Sequence, residues 1–189
     1  LRKILKSLNF PLAIPSANKA SHISPVSAED VAQEFKNLLK IIINGGPSRI
    51  GLESTVVDLT SEPKILRPGL ISPESVSKVL NKKIIINSTS TKIKAPGMLK
   101  KHYSPGIPMK LNQKKAKINE AFIVFGKKYK KKKNIFNLSY KSNLNEAAKN
   151  LYKTLRSIKN KNYKMICVCK IPKSGIGLAI NDRLNRAAK

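Results

Sequence analysis

Four short stretches carry side chains whose types and spacing could do chemistry. In residues 15–18 (PSAN), Ser16 and Asn18 sit in a Pro-bounded loop and offer a hydroxyl and an amide to phosphate, ribose or carboxylate oxygens. Ser24 follows eight residues after Ser16, just ahead of a helix start whose free N–H groups favour anions. Residues 51–59 (GLESTVVDL) put Ser54 and Thr55 at the mouth of a strand, where small hydroxyls either face a ligand or close local turns. Residues 65–69 (ILRPG) end a strand on Arg67, whose guanidinium can fork onto a phosphate or form a surface ion pair of little energetic value. Residues 100–106 (KKHYSPG) crowd Lys100, Lys101, His102 and Tyr103 into a stretch that reads otherwise as a solvated basic linker.

These stretches need elements to hold them. Leu1, Ile4, Leu5 and Leu8 fall on one helical face, which Asn9 and Pro11 bring to an end. Residues 12–26 read as a strand end and a loop. Ser27 caps a helix with Asp30 at capping-box spacing, and Val31, Phe35, Leu38, Leu39 and Ile42 make its apolar stripe. Residues 41–43 could extend into a strand. Strands are expected at 55–59 and 64–67, a helix opening on Ser72-Pro73-Glu74, and a strand at 84–86. From 87 to 110 Ser, Thr, Lys, Pro and Gly dominate, the composition of an interdomain linker.

A second unit follows. Residues 121–126 (AFIVFG) predict a strand and 127–133 (KKYKKKK) a charged loop. Asn143 caps a helix that keeps register from Leu144 to Ile158, residues 165–169 (MICVC) form a second buried strand, and Gly175 and Gly177 lead into a helix from about 178. Strand, helix, strand and helix in this order predict a small βαβα unit with parallel pairing. Cys167 and Cys169 point to one face of their strand, and two thiols without further ligands read as strand packing in a reducing cytosol rather than as a metal site.

The 189 residues carry 38 Lys and Arg against 10 Asp and Glu, a formal charge of +28, with 41% apolar residues. That apolar content supports a packed core. The charge favours phosphates and RNA, and it also fits a composition rich in Lys, Asn and Ile throughout. The lysine run is expected as a solvated loop. No apolar run approaches the ~20 residues that span a bilayer, so no membrane partner is expected.

Read in order, PLAxPSAN…SP, GLESTVVDL, LRPG, PGMxxxHYSP and GxGxAIxDRLxRAA resemble the YrdC-type threonylcarbamoyl-AMP synthases, in the two-domain form with an extra C-terminal α/β domain. The resemblance covers residues 1–189. It implies an α/β fold: the C-terminal part of a YrdC-like twisted-sheet catalytic domain (1–92), an active-site lid and interdomain linker (93–110), and a small Rossmann-like accessory domain (111–189). The implied reaction joins L-threonine, bicarbonate and ATP into threonylcarbamoyl-AMP and releases pyrophosphate. A downstream threonylcarbamoyl transferase then modifies an adenosine of tRNA. ATP is a substrate, Mg²⁺ its expected companion, and tRNA or double-stranded RNA a candidate partner in the cytoplasm.

The same resemblance makes Ser16, Ser24 and Arg67 contacts to ATP and Ser54 a contact to threonine. Asn18, Thr55, Lys101, His102 and Tyr103 are further candidates; no residue is assigned as catalytic and none as a metal ligand. Ile14 stands beside the threonine position, where the family often has Ala. Lys100 and Lys101 stand where Tyr and Arg are usual, and a Lys cannot supply the two-pronged contact of Arg. The family also carries a Lys-x-Arg motif and a Thr-bearing strand ahead of PLAxPSAN, and neither occurs in these 189 residues. The first helix begins in mid-pattern on Leu1 rather than Met. The expectation is therefore the rear part of a synthase, inactive unless a separate chain supplies the N-terminal half. The alternative is a non-catalytic nucleotide- or RNA-binding remnant.

Overall fold

Ser27 opens helix α2 (Ala28–Phe35) by accepting the Asp30 amide at 3.3 Å, and the Asp30 carboxylate in turn accepts the Val26 amide at 2.8 Å. Two N–H groups without helical partners are thus satisfied, as the spacing predicts. Helix α1 (Arg2–Lys6) precedes it and buries no residue. The stripe of α2 ends sooner than its periodicity suggests. Lys36 leaves helical geometry at φ +50°, a single 3₁₀ turn spans Lys36–Leu38, and residues 41–43 form no strand. Leu38 and Ile41 are 75% and 81% exposed, so the expected apolar face has no cover there to favour a longer helix. The computed structural model describes residues 1–86 and 95–189. The 87–94 part of the expected linker lies outside the described residues.

Strands β1 (Val56–Asp58) and β2 (Lys64–Arg67) pair antiparallel, with Val56 opposite Arg67 and a register irregularity between Val56 and Val57. Helix α3 (Pro73–Leu80) starts on a Ser72 cap and a proline, and ends on Asn81 in the left-handed region. It leads to β3 (Ile85–Ile86), which lies parallel to β2 with Lys64 opposite Ile85. Ile65 and Leu66 of β2, with Ile84 just ahead of β3, are the buried apolar residues of this region.

The second sheet has the order β4-β7-β5-β6 and is parallel throughout. Its strands are β4 (Met109–Lys110), β5 (Ala121–Val124), β6 (Ile135–Asn137) and β7 (Ile166–Val168). Every residue of β5 and β7 is buried, the continuous apolar pattern of strands covered on both faces. Helix α4 (Leu144–Lys159) presents Ala147, Ala148, Leu151, Tyr152, Leu155 and Ile158 to this core. Helix α5 (Gly177–Ala187) adds Ala179, Ile180, Leu184 and Ala187. The parallel pairing expected of the βαβα unit is present, with β4 and β6 in addition. Both are short, and β6 follows directly on the lysine run, so neither has an apolar pattern long enough to read.

The described end of the expected linker is not solvated. Tyr103 is 1% exposed and belongs to the same core cluster as α4 and α5. Ser104 donates its amide to Ser21 at 2.9 Å and bridges to His22, so residues 100–104 run beside the loop that carries Ser24. Among the described residues no helix is long and apolar enough to cross a membrane.

Candidate functional site

The antiparallel β1–β2 hairpin returns Arg67 to the residues just before β1. Arg67 donates from Nε to the Ser54 carbonyl at 3.1 Å and from one terminal nitrogen to Ser54 Oγ at 3.2 Å. Its other terminal nitrogen donates to the Pro96 carbonyl at 3.1 Å. It is 8% exposed, which excludes the reading as a surface ion pair. All three acceptors are uncharged, so the guanidinium is oriented without being neutralised by them.

The turn that meets Arg67 depends on Gly97, at φ +80°. A Cβ there would lie 2.2 Å from the Tyr103 hydroxyl oxygen and 3.1 Å from Arg67 Cδ. Tyr103 itself has φ +61°, stacks on Tyr152 with ring centroids 5.7 Å apart, and holds its hydroxyl buried without a hydrogen-bond partner. His102 Nδ1 accepts the Tyr103 amide at 2.9 Å, and the His102 amide donates to the Arg186 carbonyl at 3.3 Å. Burial pushes the His102 pKa below its ordinary value; Glu53 opposes this, while Arg186, Arg183 and Arg67 add to it. The ring is neutral at pH 7.

Behind Arg67 lies a polar knot centred on Glu53. Its carboxylate accepts from Ser24 Oγ at 2.6 Å, from the Tyr152 hydroxyl at 2.9 Å and from Arg183 Nε at 2.9 Å. Burial would raise the Glu53 pKa, but the Arg183 charge and the Ser24 and Arg183 hydrogen bonds outweigh it and hold the carboxylate below its usual value. Burial likewise opposes the Arg183 charge, and nearby Tyr152, Tyr103, Glu53 and Asp182 keep it protonated. The side chain is 0% exposed, bonds Asp182 at 2.7 Å, and sits 5.2 Å over the Tyr103 ring. Arg186 binds Asp182 at 3.1 Å and donates to the Leu99 carbonyl at 2.8 Å. Arg156 of α4 reaches the Ile23 carbonyl, Glu34 and Asp30. Helices α4 and α5 therefore hold the Ser24 loop, Glu53 and the 97–104 segment together.

Of the candidates read from sequence, Ser24, Ser54, Arg67, His102 and Tyr103 meet in this region. Thr55 Oγ1 closes a local bond to the Ile71 carbonyl at 2.8 Å. Asn18 Nδ2 organises its own loop through the Lys19 and His22 carbonyls, while its Oδ1 is buried without a partner. Ser16 and Lys101 are exposed, and no hydrogen bond or ion pair ties either to the cluster. Glu53, Tyr152 and Arg183 were not singled out by sequence reasoning. Glu53 lies inside GLESTVVDL and Arg183 inside the DRLxRAA segment, so the motifs contained two of them without revealing that they pair. Among the described residues no group of three or more His, Cys, Asp or Glu could hold a metal ion.

An α/β chain with an arginine-bearing hairpin under a His-Tyr segment defines a class, and comparison with known proteins supplies the family. Residues 71–189 match the profile described as threonylcarbamoyl-AMP synthase, C-terminal domain, and residues 1–69 match one described as telomere recombination. The chain belongs to the threonylcarbamoyl-AMP synthase family. It is 33% identical to the threonylcarbamoyl-AMP synthase of Pyrococcus abyssi, over 98% of this chain and 60% of that protein. The Bacillus subtilis synthase is 29% identical over 98% of this chain and 59% of its own length. The crystal structure of P. abyssi Sua5 complexed with L-threonine superposes with a TM-score of 0.79 at 30% identity, over 92% of this chain and 56% of that one. A structure of P. abyssi Sua5 with an adjacent His-Tyr pair replaced by alanines superposes with a TM-score of 0.77. The chain thus spans about 60% of the length of the first two relatives.

Proposed function

We propose that this chain builds the phosphate-facing wall and lid of an L-threonylcarbamoyladenylate synthase. The reaction joins L-threonine, bicarbonate and ATP, releases pyrophosphate, and passes threonylcarbamoyl-AMP to a downstream transferase acting on tRNA. One observation carries the reading: Arg67 is buried and held in one orientation by uncharged acceptors, so its charge is available to a phosphate group. The family membership and the L-threonine complex of the P. abyssi relative support it.

In this reading Arg67 takes a phosphate of ATP. Ser54 Oγ, 3.2 Å from the guanidinium, takes the threonine, which puts the amino acid beside the reacting phosphate. Ser24 and Ser16 contact the nucleotide. The carbamate formed from threonine and bicarbonate is unstable in water, and the His102–Tyr103 segment supplies the cover that excludes it. A neutral His102 adds no second cation beside Arg67. Glu53, one residue before Ser54, is engaged by Ser24, Tyr152 and Arg183. The described residues offer no ligand set of their own for Mg²⁺.

The test is an ATP titration of the 189-residue chain followed by amide NMR, beside Arg67→Met. Shifts confined to residues 16, 24, 53–55, 67 and 97–104 that vanish in Arg67→Met support the reading. Shifts unchanged by Arg67→Met would remove its basis.

A further inference from the structure

We propose that the second sheet carries a single-stranded nucleic-acid groove, separate from the Arg67 site and independent of the reading given to it. Ten of the chain's 38 basic residues, but only one of its 10 acids, fall within residues 110–133. That imbalance is local, so it is more than the lysine-rich composition of the whole chain.

The lysines are arranged around linked clefts. One, of about 540 Å³, lies where β4, β5 and β7 end: Asn112, Gln113 and Lys114 follow β4, Lys128 and Tyr129 follow β5, and Lys170 follows β7. The carboxyl ends of parallel strands are where open α/β sheets bind ligands. A second cleft of about 360 Å³ shares Lys114 and Tyr129 with it and adds Lys115 and Lys132. A third, of about 420 Å³, shares Gln113 with the first and Lys115 with the second. A fourth, of about 510 Å³, shares Ile118 and Asn134 with the second and reaches Lys161 and Tyr163. Phe122, Ile135 and Cys167 line the second and third clefts and are register partners across β6, β5 and β7. The depressions therefore lie in the segments that cover one side of the sheet, between its carboxyl rim and its amino rim. Four β5 residues at ~3.3 Å each give roughly 13 Å of sheet, and the two rims lengthen that to a few nucleotides.

The side chains fit a phosphate chain with exposed bases. Lysines follow the clefts, and two tyrosines are interleaved at fixed orientations: Tyr129 packs edge-on against Phe122 and Tyr163 against Phe136. Positive grooves with aromatic platforms track single strands with little sequence preference. A lipid surface would require an apolar face, and here Ile118, at 82% exposure, is the one strongly exposed aliphatic side chain lining the clefts.

Fluorescence anisotropy with a labelled 12-nucleotide RNA tests this on the full chain, with Lys114→Gln/Lys128→Gln/Lys170→Gln in the groove and Lys40→Gln/Lys78→Gln/Lys83→Gln as an equal-charge control. The groove variant should bind at least tenfold more weakly. Three lost phosphate contacts at ~0.7 each should lower its salt slope by about 2. The control should stay within twofold. Tyr129→Leu should weaken RNA more than inorganic polyphosphate. Equal losses in the two triple variants would reduce the effect to bulk charge and overturn the proposal. Tighter binding to a duplex of equal length, or groove-dependent binding to phosphatidylserine vesicles in preference to RNA, would overturn it as well.

Discussion

Arg67 and Glu53 show how opposite charges are used differently within one hairpin. Arg67 donates to three neutral acceptors, which orient its charge without neutralising it. Glu53, one residue before Ser54, spends its charge on a buried cation and two hydroxyls. Arg67→Lys keeps the charge and loses the fork, so nucleotide binding should fall by at least tenfold in a calorimetric ATP titration while the thermal midpoint moves little. Acid titration should expose the other side. Glu53 and His102 both bind protons more weakly folded than unfolded. Stability therefore rises with pH through both. It should be full above ~6.5, drop as His102 is driven towards protonation, and drop again below ~4.3 as Glu53 is driven the same way. Melting curves from pH 8 to pH 3 check this. Glu53→Gln should shrink the lower step, to which Glu34 also contributes, and leave the upper one.

At the scale of elements, α5 reaches across to the first sheet rather than serving only its own. Arg183 fixes Glu53, and Arg186 fixes the backbone at Leu99. Removing one partner of a buried pair strands the other, at roughly 3–5 kcal/mol, whereas removing both costs less. Arg183→Met should thus destabilise the chain by about that amount in urea denaturation, and Arg183→Met/Glu53→Gln by clearly less. Equal losses would mean that the two residues do not act as a pair. The elements themselves were largely legible in the sequence. Ser27, Ser72 and Asn143 caps and the apolar runs of β2, β5, β7 and α4 stood out because capping and periodicity are local signals. Strands β4 and β6 were not legible, since two or three residues beside lysines carry no pattern of their own. The end of α2 is not legible, because a continuous stripe says nothing about whether another surface will cover it.

For the molecule as a whole, the candidate site is legible only where its residues lie in long motifs. Ser24, Ser54, Arg67, His102 and Tyr103 were reached that way, through the resemblance those motifs carry. The Glu53–Arg183 bond joins positions 130 apart, and no spacing rule connects them. Arg183 in its helix reads as an ordinary charged residue until the fold buries it. The tertiary result is a 97–104 segment held from three sides: Ser104 on the Ser21 loop, Tyr103 on Tyr152 of α4, and Gly97 against Arg67 of β2. Gly97→Ala would force the Tyr103 hydroxyl or Arg67 to move. Hydrogen exchange should then quicken at residues 97–104 while the β5 and β7 amides keep their protection.

The central claim is that Arg67 addresses a nucleotide phosphate in threonylcarbamoyl-AMP synthesis. Pyrophosphate release from ATP, with and without L-threonine and bicarbonate, tests it most directly when the chain is assayed alone and together with the Lys-x-Arg segment of a relative. Release by the chain combined with that segment should require both co-substrates and fall about 10²-fold in Arg67→Met. Release undiminished by Arg67→Met, or indifferent to threonine, would contradict it.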